Sequence, residues 1–168
     1  MLFGGRTSKG EALIDALGDI DEAVSAVGVA RSGFTDPRRA DLLLRLQREL
    51  FVVAADLAAH PEHRDRLEPR ISRAVPEMVS ELEQTIDEVT AVRPLRPVFI
   101  VPGTNPQEAA IDLARTVVRR AERHTVRTRL AGHSVSDDVL HYLNRLSDLL
   151  FVLARDAANG ADEPTSHD

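Results

Sequence analysis

The feature that most constrains the fold of this chain is an apolar stripe that recurs in five segments. In each segment apolar residues return every three or four positions, which is the spacing of one face of an α-helix. The stripes are Leu13-Leu17-Ile20-Val24-Val27, Leu43-Leu46-Leu50-Val53-Leu57, Val79-Leu82-Ile86-Val89, Ile111-Ala114-Val118-Ala121 and Val139-Leu143-Leu146-Leu150-Leu153. Five stripes with short connections predict an all-α fold, a five-helix bundle with up-down packing.

Residues at the segment ends support these helices. Gly33 is placed to close the first helix, and Asp36-Pro37 is a cap followed by a first-turn proline. Asn105 can cap the fourth helix, and Glu108 completes a capping box. The helix boundaries therefore have local chemical causes.

Two segments do not fit a helix. The prolines of RPLRPVFIVPG exclude a regular helix over residues 93–103, where Val98 to Val101 form an extended apolar run. The chain from Asn159 onwards is polar. We therefore expect one helical domain over residues 1–158 and a flexible C-terminal tail over residues 159–168.

Composition excludes several classes of protein. The 168 residues carry a net charge of −6 and are 43% hydrophobic, which suits one soluble domain with a core. There is no cysteine, so disulfides and thiolate zinc sites are excluded and a reducing cytoplasm is the expected location. No apolar run could span a bilayer, and the acidic balance argues against a nucleic-acid partner. Any anion site must therefore be local.

Positive charge is nevertheless concentrated in the sequence RTVVRRAERHT. Arg115, Arg119 and Arg123 recur at four-residue spacing and share a helix face, with Arg120 beside them and Glu122 as the single acid between Arg115 and Arg123. Like charges at this spacing repel unless an anion lies against them. Two interpretations are open. One is a solvated basic face, and the other is a polyphosphate site, since guanidinium groups bind phosphate bidentately.

Other polar positions give weaker signals. Asn144 and Asp148 lie four residues apart in the leucine-rich YLNRLSDLLF, where they fit a hydrogen-bond network or a ligand contact equally well. Gly4-Gly5 and Lys9 precede the first helix and suit an anion, although the spacing is not that of a P-loop. The histidines of HPEH are typical of a loop that ends a helix, so we predict no metal ion held directly by protein ligands.

Taken together, these stretches resemble the PduO-type ATP:cob(I)alamin adenosyltransferases. The specific part is the pair RTVVRRAER and YLNRLSDLLFVLAR, and FIVPG precedes it as in the family. The stretch with Arg6, Lys9, Asp15, Gly18 and Asp21 matches the family's opening elements. The resemblance is colinear over nearly the whole chain.

The resemblance implies a ferritin-like bundle that assembles as a homotrimer, with active sites between subunits. It implies transfer of the 5′-deoxyadenosyl group of ATP to the cobalt of cob(I)alamin, with Mg²⁺ on the phosphates, release of triphosphate and formation of adenosylcobalamin. A corrinoid reductase and an adenosylcobalamin-dependent enzyme are further partners that it suggests.

The resemblance also implies roles for individual residues. Arg119, Asp148 and Phe99 would be catalytic, Phe99 by keeping the lower axial ligand off cobalt in the corrinoid pocket that Asp148 supports. Arg115 would pair with Asp21 across the subunit interface. The ATP site would comprise Lys9, Arg119, Arg120, Glu122, Arg123 and Asn144.

The sequence departs from the family at its start. The family's T-x-T-G-D-x-G-x-T-like loop, which wraps the triphosphate, has no counterpart before the opening Met1-Leu2-Phe3. Three interpretations are open: a start codon further upstream, a non-catalytic paralogue that carries or senses corrinoid or nucleotide, or an active enzyme with weak ATP affinity.

Overall fold

The computed structural model of the chain describes residues 11–165, and most of them are helical. The helices are α1 (Ala12–Ser32), α2 (Pro37–Ala58), α3 (Pro76–Val92), α4 (Pro106–Leu130) and α5 (Asp137–Ala157), with a 3-10 helix over Pro61–Arg66. Two short strands, β1 (Ile100–Val101) and β2 (Glu163–Pro164), pair antiparallel. The predicted all-α class is therefore confirmed. None of the described helices is long and apolar enough to cross a membrane.

Helices α2, α4 and α5 begin where a side chain accepts a hydrogen bond from a first-turn N–H group, whereas α1 and α3 have no side-chain cap. Asp36 accepts a hydrogen bond from the Arg38 N–H at 3.2 Å, and Ser136 accepts one from the Val139 N–H at 3.3 Å. Gly33 follows the last residue of α1, as the sequence predicted. These caps are local, so the starts of α2 and α5 and the end of α1 follow from the sequence.

The predicted capping box of α4 is only half correct. The Glu108 N–H donates to the Asn105 side chain at 2.9 Å, as expected. The Glu108 carboxylate, however, accepts from the backbone N–H groups of Gly103 and Thr104, at 2.7 and 2.9 Å. Gly103 takes a φ of 121°, which glycine tolerates, and this turn aims both N–H groups at the carboxylate. Glu108 therefore fixes the loop before α4.

The core is centred on α5, which packs against α2, α3 and α4, while α1 packs between α2 and α4. Leu143, Leu146 and Leu150 of the predicted α5 stripe are fully buried. The α1–α4 contact relies on small residues that are fully buried: Ala114 and Ala121, which belong to the predicted α4 stripe, and Ala16, Ala23 and Ala30, which lie outside the predicted α1 stripe. Small side chains let two helix axes approach closely.

A buried polar pair joins α2 to α5. The Tyr142 hydroxyl donates to the Glu49 carboxylate at 2.8 Å, and Tyr142 is fully buried. Burial raises the pKa of Glu49, against the opposing effects of the Tyr142 hydrogen bond and the Arg45 charge. Burial also raises the pKa of Tyr142 well above 10.0. The charged form of Glu49 is therefore disfavoured in the folded protein.

The extended segment after α3 lies against the C-terminal residues. The β1 strand confirms the predicted extended run, and the Thr165 N–H donates to the Phe99 carbonyl at 3.0 Å. The Arg93 guanidinium donates to the Asn159 side chain at 2.8 Å. The domain boundary at 158 and the flexibility of residues 159–168 stay predictions, and residues 166–168 lie outside the described part of the chain.

Candidate active site

Two open pockets adjoin on one side of the bundle. The first, of about 520 Å³, lies between α3, α4 and α5, and the second, of about 500 Å³, lies against the segment that carries Phe99. Arg115 and Phe151 line both pockets. The first is lined by Ile86, Leu95, Arg115, Arg119, Arg145, Ser147, Asp148, Phe151 and Val152.

The second pocket has a mainly apolar wall. Phe99 is 86% exposed, and Val98 and Phe151, which line the same pocket, are partly exposed. Leu95 and Val101, which are close to Phe99 in the chain, are also partly exposed. A contiguous exposed apolar patch of this kind is typical of a ligand or partner surface, whereas single exposed apolar residues are common. The wall is suited to a large ligand with an apolar face.

A hydrogen-bonded chain crosses from α4 to α5 beside the first pocket. Arg119 donates to one oxygen of Glu122 at 2.8 Å, and the Asn144 amide donates to the other oxygen at 3.0 Å. The structure thus joins three residues that the sequence predicted for one site. Because Glu122 orients the Arg119 guanidinium, that group faces the pocket with a restricted geometry.

Arg120 points to the other side of α4. Its guanidinium pairs with Asp19 at 2.9 Å and with Glu22, both on α1, and these two hydrogen bonds raise the pKa of Arg120. His124 lies 2.5 Å from the same Asp19 carboxylate. Arg120 is therefore tied to α1 in this structure, whereas Arg119 lines the pocket.

The remaining predicted residues fall at different distances from the pockets. Arg123 is exposed one turn after Arg119 and donates to its carbonyl at 3.0 Å. Asp148 lines the first pocket and pairs with Arg145 at 2.8 Å. Asp21 is exposed on α1, and Lys9 lies outside the described residues.

Arg115 contacts an acid on its own helix. Its Nε donates to Asp112 at 2.7 Å, and Asp112 is nearly fully buried. The predicted pair between Arg115 and Asp21 would join two subunits, so a single chain leaves it a prediction. The role of Asp112 was missed in the sequence analysis.

A buried cation, Arg155, was also missed. It lies in the last turn of α5 and contacts the carboxylates of Glu108 and Asp112, and it lies 3.2 Å from that of Asp162. Two signals could have indicated it: Glu108 and Asp112 share a helix face at four-residue spacing, and Arg155 ends a leucine-rich helix.

The model of the cobalamin adenosyltransferase family matches residues 1–157. The chain belongs to this family. The corrinoid adenosyltransferase of Bacillus subtilis (strain 168) is 39% identical over 158 residues, which cover 92% of this chain and 78% of that protein. The family prediction made from the sequence is therefore confirmed.

Solved structures of this family have the same fold. A variant PduO-type ATP:co(I)rrinoid adenosyltransferase from Lactobacillus reuteri, complexed with ATP, has a TM-score of 0.85 at 30% identity, with 99% of this chain and 93% of that chain covered. Another variant from this organism, complexed with cobalamin and ATP, has a TM-score of 0.82 at 30% identity over 96% and 90% of the two chains.

Proposed function

We propose that this chain is a corrinoid adenosyltransferase that moves the 5′-deoxyadenosyl group of ATP onto the cobalt of cob(I)alamin. Family membership over residues 1–157 supports this function. The observation that carries it is the placement of Arg115 and Arg119 beside Asp148 in one pocket, which adjoins the apolar pocket of Phe99. Cationic and apolar walls meet where a polyphosphate and a corrinoid would have to meet.

The reaction places its largest charge change on the phosphates. The electron pair of cobalt(I) forms a bond to C5′ of the ribose, and the bond from C5′ to the phosphate oxygen breaks. Triphosphate leaves with the electron pair of that broken C–O bond. Arg119 has five N–H donors and donates one to Glu122, so the same guanidinium can bind phosphate oxygens. A fixed cation beside the leaving group stabilises the charge that develops there.

The other ATP residues are assigned by the same reasoning. Glu122 and Asn144 orient Arg119, and Arg123 lies one turn away on the exposed side of α4. Arg120 would exchange its α1 carboxylates for phosphate oxygens when ATP binds. Lys9 would be a further phosphate ligand.

Mg²⁺ would be held mainly by the phosphates. Within residues 11–165 no three His, Asp or Glu side chains are grouped so as to hold a metal ion. Mg²⁺ commonly binds through substrate phosphates and one or two carboxylates, so this arrangement fits. The ion would neutralise part of the triphosphate charge.

Phe99 and its neighbours would receive the corrinoid. The exposed Phe99 ring can occupy the lower face of cobalt and keep the axial ligand away, since a dry apolar wall offers no replacement ligand. Asp148 lines the first pocket, one helical turn before Phe151, which lines both pockets, and Asp148 would support the bound corrinoid.

We further propose a homotrimeric five-helix bundle in the cytoplasm, with active sites between subunits. Asp21 is exposed and can reach a neighbouring chain, where it would pair with Arg115. Val29, Leu113 and Leu130 leave apolar surface on α1 and α4 that such an interface would bury.

An anaerobic turnover assay tests the proposed function. The purified chain is mixed with ATP, Mg²⁺ and chemically reduced cobalamin, and both adenosylcobalamin absorbance and released triphosphate are measured. We expect equal amounts of the two products. Corrinoid binding without either product would overturn the enzyme assignment in favour of a carrier or regulator, and a second assay with upstream codons added would test the start position.

A further inference from the structure

One buried cation lies behind both pockets. The Arg155 side chain is only 6% exposed, and it contacts three carboxylates that are themselves buried, those of Glu108, Asp112 and Asp162. Arg155 lines neither of the two pockets but a smaller cavity of about 70 Å³, which it shares with Ile100 and Phe151, so contact with a ligand in either pocket does not explain it. Its contacts lead instead to residues that do line them.

The first connection leads to Arg115, which lines the first pocket. One oxygen of Asp112 contacts Arg155, and the other accepts from the Arg115 Nε at 2.7 Å. Arg115 lines both pockets. Arg155 therefore fixes the Asp112 carboxylate through one oxygen, and Asp112 positions the Arg115 guanidinium through the other oxygen.

The second connection leads to the segment that carries Phe99. One oxygen of Glu108 contacts Arg155, while the other accepts the N–H groups of Gly103 and Thr104. Asp162, the third partner, directly precedes β2, which pairs with β1 beside Phe99. The segment is thus tied to Arg155 at both of its edges.

The third connection is to an aromatic ring. The Arg155 guanidinium carbon lies 5.5 Å from the centroid of Phe151, within the range of a cation–π contact. Phe151 lines both pockets. Three parts of the site, namely Arg115, the segment that carries Phe99 and the Phe151 ring, therefore depend on the position of one guanidinium.

Stability alone is a weak reason for such a cluster. Buried ion pairs offset much of their Coulomb attraction by the cost of desolvation, and apolar replacements are often as stable. A guanidinium is suited to bridging several carboxylates at fixed angles, which an ammonium group cannot do. The fixed arrangement of the three carboxylates around Arg155 therefore indicates a positioning role more than a stabilising one.

We propose that Arg155 is a positioning residue that holds Arg115 and the Phe99 segment in register, so that the phosphate and corrinoid pockets keep one relative geometry. This proposal rests on the proposed function for its kinetic consequence. Its structural consequence, the ordering of the loop at Gly103 and Thr104, does not need any substrate.

The test uses Arg155→Lys, which keeps the positive charge and removes the planar guanidinium that bridges the carboxylates. The control is Arg64→Lys, because Arg64 makes a similar pair with the buried Asp56, at 2.5 Å, and lines neither pocket. We expect kcat of Arg155→Lys to fall on the order of 100-fold, since small misplacements of reacting groups have effects of that size. Arg64→Lys should keep the wild-type kcat.

Two further readouts separate positioning from general damage. In electron paramagnetic resonance of bound cob(II)alamin with ATP, we expect the nitrogen splitting from the lower ligand to disappear in wild type and Arg64→Lys and to persist in Arg155→Lys. Amide hydrogen exchange at Gly103 and Thr104 should be faster in Arg155→Lys alone.

Asp112→Asn provides a second variant that cuts one connection. It should lower kcat through Arg115 while leaving exchange at Gly103 and Thr104 unchanged, because the Glu108 contacts persist. This variant keeps the proposal testable if Arg155→Lys does not fold.

The outcomes are distinct. Unchanged kcat and unchanged exchange in Arg155→Lys would overturn the proposal, as would equal losses in Arg155→Lys and Arg64→Lys. If wild type forms no adenosylcobalamin, the proposed function fails, and exchange at Gly103 and Thr104 still decides whether Arg155 orders the loop.

Discussion

The two halves of α4 use charge in opposite ways. In the first half, Glu108 and Asp112 are almost completely buried and are paired with the buried Arg155. In the second half, the Arg119 side chain is 45% exposed and Arg123 is exposed as well. The same helix therefore carries one set of charges that holds the fold and another that can meet a ligand.

The difference lies in the cost of exchanging partners. A buried charge that loses its partner is left without solvation, whereas an exposed arginine exchanges a carboxylate for water or phosphate at little cost. Mutation of the buried acids Glu108 and Asp112 should therefore lower stability, in addition to the effect of Asp112 on Arg115, whereas mutation of the exposed Arg119 should act mainly through activity.

Glu108→Ala should cause the largest loss of stability. It removes the acceptor for Arg155 and for two loop N–H groups, and breaking a buried pair typically costs about 3–5 kcal/mol. The free energy of unfolding from urea titration gives the value. The control is Asp137→Ala, which removes the exposed pair with Arg129 and should cost about 1 kcal/mol or less. Equal losses in the two variants would contradict the contrast.

Glu49→Gln should change how the free energy of unfolding depends on pH. Glu49 is buried like Glu108, but a Tyr142 hydroxyl is its main hydrogen-bond partner, and burial raises its pKa above 4.5. Folding favours the protonated form of Glu49. The contribution of this group to the free energy of unfolding of wild type is therefore fully present below pH 4.5 and is lost as the pH rises through the pKa in the folded state.

The variant stays neutral at every pH and can still accept from Tyr142. Its free energy of unfolding should therefore gain on that of wild type as pH rises from below 4.5, and the gain should level off above the raised pKa. Chemical denaturation at a series of pH values measures this difference. A difference that shrinks as pH rises would show that Glu49 is stabilised as a carboxylate.

Arg120→Ala should have the smallest effect on stability. Arg120 pairs with Asp19 and Glu22, but its side chain is more than a third exposed, so the expected cost is about 1 kcal/mol or less and should decrease with added salt. Thermal unfolding at low and high salt measures it. A large loss that salt does not reduce would place Arg120 with the structural charges of α4.

Much of the fold could be predicted because its causes are local. The apolar stripes, the caps at Asp36 and Asn105 and the extended run before Gly103 each depend on residues within a few positions. The alanines of α1 were less visible, because a small residue signals close packing only when its partner helix is known.

The site was predictable in its residue types and less so in its partners. The link between Arg119, Glu122 and Asn144 joins two motifs that the family resemblance had already paired. The contact of Arg120 with Asp19 spans 101 positions, and the sequence offers several acids for that arginine. The partners of Arg155 lie on α4 and in the C-terminal segment, so only the folded chain brings them together.

The most direct test of the central claim is turnover by Arg119→Ala. The anaerobic assay gives kcat and KM for ATP, and circular dichroism gives helix content, with wild type measured in parallel. We predict that kcat falls about 100-fold or more, as when one transition-state donor is removed, with helix content unchanged. Wild-type turnover in a folded Arg119→Ala protein would contradict the assignment of the exposed half of α4 to the triphosphate.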